Sequence, residues 1–291
     1  MNLHLRIEQA VAQATGESVR IRQSRHVGGG SINQASLLQL QDGRRLFIKT
    51  HPESNRYPGM FAAEFEGLSR LAAPGVIRVP RPLACDNDFI VMEAFSASGP
   101  GPGWQELMGR QLALLHQATQ RQGFGFDADN YLGTTPQPNA WMERWLDFWR
   151  ERRLGWQLRL FSGKTGADDA LLSLGMRLLD RLDDILGEVD EAAVLLHGDL
   201  WSGNAAADER GEPIIFDPAC YYGQREAEIG MMRLFGGFGR RCEAAYEEVW
   251  PLQSGADRRI LLYRLYHELN HLNLFGGGYY HSCIATMRQL L

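Results

Sequence analysis

The chain has 291 residues, enough for a large core and two lobes. A formal charge of −5 lacks the basic excess of a nucleic-acid binder, and no window approaches the ~20 apolar residues of a membrane span. The four cysteines are widely spaced with no CxxC pair, so free thiols in a reducing compartment are expected.

Residues 3–15 place Leu3, Ile7, Ala10, Val11 and Ala14 at helical spacing. Three strand-like runs follow: Val19–Val27, Ala35–Gln41 and Arg45–Thr50. Gly28–Gly30 separates the first two, and Asp42–Gly43 marks a hairpin before the third. Pro58–Leu71 reads as a helix with Phe61, Phe65, Leu68 and Leu71 on one stripe and Glu64 bordering it. Val79–Cys85 and Asp88–Glu93 read as two further strands. Ser96–Gly103, rich in Ser, Gly and Pro, reads as a hinge. Helices are predicted over about 103–121, 138–161, 168–187, 224–235, 239–250, 256–274 and 278–290. The exception is 193–217, where Ala193–Leu196 and Pro213–Phe216 look like short strands around a polar loop. The expected organisation is a strand-rich lobe over 1–95, a linker over 96–103 and a helical lobe over 104–291, an α+β fold. The opening MNLHLRIEQA lacks a basic stretch before an apolar run, so a cytoplasmic protein is expected.

The segment His197-Gly198-Asp199-Leu200-Trp201-Ser202-Gly203-Asn204, followed by Asp217 after Ile214-Ile215-Phe216, holds the polar kit of phosphoryl transfer. One carboxylate can orient or deprotonate an attacking hydroxyl, while an Asn and a second Asp offer hard oxygens to magnesium. The Asp-x4-Asn spacing fits a kinase catalytic loop. An Asp and an Asn in a turn are also ordinary turn formers; Asp217 at the end of an apolar run favours chemistry.

Only two lysines occur, Lys49 and Lys164. Lys49 ends Leu46-Phe47-Ile48, where a phosphate-contacting lysine is expected, and Glu64 is the candidate partner. Gly28, Gly29, Gly30 and Ser31 could bring backbone amides close to phosphate oxygens. Met92, Glu93, Ala94 and Phe95 could present a backbone edge to adenine. Trp201, Tyr221 and Tyr222, with Phe235 and Phe238 beyond, could stack on a sugar or an amine. His267-Glu268-Leu269-Asn270-His271 matches the HExxH zinc pattern, but no Asp or Glu follows Glu268, and the leucines around it explain the helix as packed structure.

These stretches, together with Phe61–Leu68, Val79–Pro82, Asp217–Glu226, Phe235–Phe238 and Leu269–Tyr279, resemble the fructosamine kinase (ketosamine-3-kinase) family, within the aminoglycoside-phosphotransferase-like kinases. LHGDLWSGN and DPACYYGQRE carry the resemblance most specifically. It implies a two-lobed protein-kinase-like fold, with an antiparallel sheet and a helix in the first lobe. It implies ATP and Mg2+ as cofactors and the 3-hydroxyl of a free or protein-bound ketosamine as acceptor, the product releasing its amine. Asp199 would be the base, Asn204 and Asp217 the metal ligands, Lys49 with Glu64 the phosphate clamp, Met92–Phe95 the adenine edge, and Trp201, Tyr221 and Tyr222 the sugar side. Some family members carry a cysteine where this chain has Ser31, so thiol regulation through that loop is not implied here. Asp-Pro-Ala replaces the Asp-Phe-Gly of protein kinases. Two further readings stay open at the level of sequence: a kinase of an aminoglycoside, choline or other alcohol, and a nucleotide-binding regulator without catalysis.

Overall fold

The Asn2 side chain accepts the His4 N–H at 3.1 Å and starts α1, Leu3–Thr15, which stops at Gly16 in the left-handed region with φ 74°. Then come β1 (Ile21–Val27), β2 (Gln34–Leu40) and β3 (Arg45–Thr50). After them come α2 (Met60–Ala72), β4 (Pro82–Asp86) and β5 (Phe89–Glu93). This computed structural model describes residues 2–28, 33–187, 189 and 191–291. The five strands form one antiparallel sheet in the order β1-β2-β3-β5-β4.

The side-chain period of two divides β3. Leu46 and Ile48 enter the core formed with Ile7 and Val11 of α1 and with Phe89 and Val91. Lys49 therefore belongs to the opposite face. In α2, Phe61, Glu64, Leu68 and Leu71 recur at helical spacing and all four are buried. A carboxylate on an apolar helix face and a lysine on a sheet face thus share one interior.

The chain continues through α3 (Trp104–Ala118), β6 (Asn130–Leu132), β7 (Thr135–Gln137) and α4 (Trp145–Phe148). A π-helical turn, Trp149–Leu154, leads into α5 (Gly155–Ser162). Then come α6 (Asp169–Asp180), α7 (Leu182–Leu186), β8 (Val194–Leu196), β9 (Ala205–Ala207), β10 (Pro213–Ile215) and β11 (Tyr221–Gly223). Four helices close the chain: α8 (Glu226–Phe235), α9 (Arg240–Val249), α10 (Ala256–Phe275) and α11 (Tyr280–Leu290). No helix among the described residues is long and apolar enough to cross a membrane.

Two compact units result: Met1–Trp104 with Ala205–Pro218, and Gln105–Asn204 with Ala219–Leu291. The first is discontinuous because the β9–β10 hairpin is stitched onto its earlier residues. The Arg78 guanidinium donates to Glu93 at 2.8 Å, to Asp208 at 2.6 Å and to Glu209 at 2.8 Å. Ser98 N–H donates to the Ala207 carbonyl at 2.9 Å, and Gly101 N–H to the Gly211 carbonyl at 3.1 Å. The glycine-rich stretch after β5 is thereby pinned to this hairpin.

The helix expected over 138–161 begins only at Trp145. Residues before it are drawn into a buried amide network. Asn130 Oδ1 accepts from Gln137 Nε2 at 2.8 Å and from Asn139 Nδ2 at 2.9 Å, while Asn139 Oδ1 accepts from Arg153 at 2.7 Å. Tertiary hydrogen bonds override the helical pattern there, since buried amides must be satisfied.

Candidate active site

In the first unit, the Lys49 ammonium bonds the Glu64 carboxylate at 2.5 Å and also bonds Asp217. Burial alone would lower the lysine's pKa, but Asp217 and Glu64 outweigh it and hold the ammonium above its ordinary range. Burial raises Glu64, with the Lys49 charge opposing the rise. The lysine is a fixed cation here, and Glu64 restrains it. Asp217 is the one non-glycine residue with positive φ, at 61°, among the described residues. Aspartate tolerates this left-handed conformation better than most side chains. It follows β10 after Phe216 alone, so the hairpin pinned by Arg78 carries the carboxylate to Lys49.

In the second unit, β8 delivers the loop His197–Asn204. The Glu228 carboxylate on α8 accepts the main-chain N–H of His197 at 2.5 Å and of Gly198 at 3.1 Å. Ala219 N–H donates to the His197 carbonyl at 2.8 Å. Gly198 has φ 81°, and a Cβ there would run into the Ala219 carbonyl, so the turn before Asp199 requires glycine. A 3-10 turn over Ser202–Asn204 folds the loop back on itself. The Asn204 Nδ2 then donates to Asp199 Oδ2 at 3.0 Å and to the Asp199 carbonyl at 2.8 Å. The loop is held by these hydrogen bonds and carries a partly exposed carboxylate at its turn.

Asp217 and Asn204 suit magnesium by the chemistry of their donors, a carboxylate and an amide oxygen, both hard. The nitrogen of Asn204 is directed at Asp199. The His271 Nδ1–H donates to the His267 carbonyl at 2.8 Å, and Glu268 is held by Arg264 and Ser282, each at 3.0 Å.

Gly28 is exposed, while Gly29, Gly30 and Ser31 lie outside the described residues. Met92 is buried in β5, Glu93 is tied to Arg78, and the Phe95 ring lies 5.6 Å from that of Phe216. Ala94, between them, is half-buried. Trp201 projects from the loop against Phe235, with ring centroids 5.6 Å apart. Tyr221 and Tyr222, expected on the sugar side, are both buried. Tyr221 is 2% exposed, stacked on Phe148, with the Arg153 guanidinium 4.0 Å from its ring centre. Tyr222 is 9% exposed and covered by Trp141 and Arg121. Both lie on β11, whose pairing with β8 places them in the interior.

Sequence reasoning missed Glu228. Its signal was available as an acidic residue flanked by Ala227, Ile229, Met231 and Met232, a carboxylate with no reason to face solvent.

These features define a phosphotransferase of the protein-kinase-like class. A solved aminoglycoside phosphotransferase APH(4)-Ia, a thermostable mutant, superposes with a TM-score of 0.63 at 18% identity, over 97% of this chain and 98% of that one. At that identity the likeness concerns fold alone. A candidate fructosamine-3-kinase from Thermobifida fusca superposes with a TM-score of 0.87 at 32% identity, over 98% of both chains. The chain belongs to the fructosamine kinase family, whose model matches residues 3–291. It is 42% identical over 282 residues to the chloroplastic protein-ribulosamine 3-kinase of Arabidopsis thaliana, covering 95% of this chain and 85% of the relative. It is 40% identical over 292 residues to the "Probable ketoamine kinase" of Synechocystis, covering 98% and 96%.

Proposed function

We propose that this protein transfers the γ-phosphoryl group of ATP to the 3-hydroxyl of a ketosamine, after which the unstable product releases its amine. The observation that carries this reading is the Asn204–Asp199 hydrogen bond at 3.0 Å, inside a loop whose backbone Glu228 holds. A carboxylate so oriented can accept the proton of an attacking hydroxyl. Membership of a family whose relatives are named ketoamine and ribulosamine kinases supplies the acceptor class.

Each residue then has a role. Asp199 orients and deprotonates the hydroxyl. Lys49, restrained by Glu64, neutralises phosphate oxygens. Gly28 to Ser31 offer main-chain amides to the phosphates, and Met92 to Phe95 offer main-chain groups to adenine. Asn204 and Asp217 would hold magnesium, which supplies charge neutralisation across the phosphates when bound. Trp201 forms a wall for the sugar.

The test is ATP consumption with synthetic ribulose–lysine and fructose–lysine adducts, with the phosphate position assigned by NMR and Asp199→Asn as control. Asp199-dependent phosphorylation of the third hydroxyl supports the proposal. Nucleotide binding without transfer to either adduct overturns it.

A further inference from the structure

Resting on the proposed ketosamine kinase reading, we infer that an aromatic row starting at Trp201 and ending at Phe275 is the subsite for the amine substituent of the acceptor, with Phe235 and Phe275 as its specificity residues. The rings follow one another without a break. Trp201 meets Phe235 at 5.6 Å, Phe235 meets His271 at 4.8 Å, and His271 meets Tyr279 at 5.1 Å and Phe275 at 5.7 Å. The inner end lies in the loop that bears Asp199. The outer end is open: Phe235 is 38% and Phe275 is 58% exposed. They are two of the six large apolar residues that are exposed among the described residues, and here the ring contacts join them into one row.

The row is held in place from behind. A Cβ on Gly237 would strike the Ser202 side chain, so the chain after Phe235 runs directly against the loop. A Cβ on Gly203 would strike the Trp201 ring. The His271 Nδ1–H is committed to the His267 carbonyl, and burial keeps the imidazole neutral by lowering its pKa. The row therefore carries no fixed positive charge at neutral pH.

These faces dictate the ligand chemistry. A ketosamine carries a protonated secondary ammonium next to its sugar, and cations favour aromatic faces. With the sugar hydroxyl at Asp199 and the ring at Trp201, the substituent beyond the ammonium extends along Phe235 toward Phe275. An aliphatic or aromatic stem is favoured there. A carboxylate directly beside the ammonium is disfavoured, because it would place negative charge over π-faces.

The experiment compares kcat/KM for ribulose adducts of hexylamine and of glycine in wild type, Phe275→Ala, Phe235→Ala and Phe275→Trp. The wild type should prefer the hexylamine adduct. The preference should fall about tenfold in each alanine variant and survive in Phe275→Trp, since one aromatic contact accounts for roughly that factor. Equal preference ratios in wild type and both alanine variants, with turnover intact, would overturn the subsite while leaving the kinase reading standing. No wild-type transfer to either adduct, with the ribulose–lysine adduct still phosphorylated, would also overturn the subsite alone; no transfer to any of the three would remove the kinase reading and the subsite with it.

Discussion

The Glu228 carboxylate, wholly buried on α8, accepts the main-chain N–H of His197 at 2.5 Å. Together with its bond to Gly198, this ties the residues just before Asp199 to a helix rather than to solvent. Glu228→Gln places an amide NH2 against a buried N–H. We expect a loss of about 2–3 kcal/mol in unfolding free energy and a fall in kcat larger than the change in KM for ATP. Thermal or urea unfolding and steady-state kinetics on the same variant check both. An unchanged kcat in a destabilised variant would assign Glu228 to stability alone.

Lys49→Met leaves Glu64 buried without its cation. We expect a loss of about 3–5 kcal/mol in stability and roughly 100-fold slower transfer. Adding Glu64→Gln should restore much of the stability and none of the rate. Urea denaturation and turnover separate the two effects, and joint recovery of both would remove Lys49 from phosphate binding.

Asp199→Asn keeps the shape of the loop and the partnership with Asn204. Nucleotide affinity should stay within a few-fold, while transfer falls by roughly 10²–10⁴. Calorimetric titration with a non-hydrolysable ATP analogue, beside single-turnover kinetics, measures the two arms. Turnover matching wild type would exclude Asp199 as base.

Stability should decline in mild acid. Burial lowers His267 to about 3 and also lowers His116 and His271. The unfolded chain binds these protons near its ordinary histidine pKa of about 6.5, whereas the folded chain resists them. Unfolding therefore takes up protons, and the stability present above about 6.5 is lost as pH falls toward the folded values. Urea midpoints between pH 7.5 and 5 should fall, and less steeply in His267→Asn. A flat profile in the wild type would contradict the neutral assignment.

Much of the Lys49 clamp was legible in the sequence. The alternation in Leu46-Phe47-Ile48-Lys49 and the helical spacing of Phe61, Glu64 and Leu68 both point inward, and the structure brings Lys49 and Glu64 to 2.5 Å. The Asp-x4-Asn spacing likewise corresponds to a real contact. What the pattern hid depends on tertiary partners. Strands β6, β7, β9 and β11 have three residues each, too short to show a period. Tyr221 and Tyr222 point to opposite faces of β11 and both are buried, which aromatic composition does not reveal. The π-helical turn at Trp149–Leu154 and the amide network before α4 arise from contacts with distant residues, which local propensity does not encode.

The stitching of β9–β10 to Arg78, Ser98 and Gly101 also bears on how the chain is made. A ribosome releases residues 1–104 long before 205–218, and residues 105–204 emerge in the interval. Until the hairpin arrives, Asp208 and Glu209 cannot neutralise Arg78, and the nascent sheet lacks the strand pair that presents Asp217. This unit therefore matures late in translation although its sheet is made first. No single cut in the gene isolates it: a fragment ending at Trp104 has the lysine of the clamp without its second carboxylate.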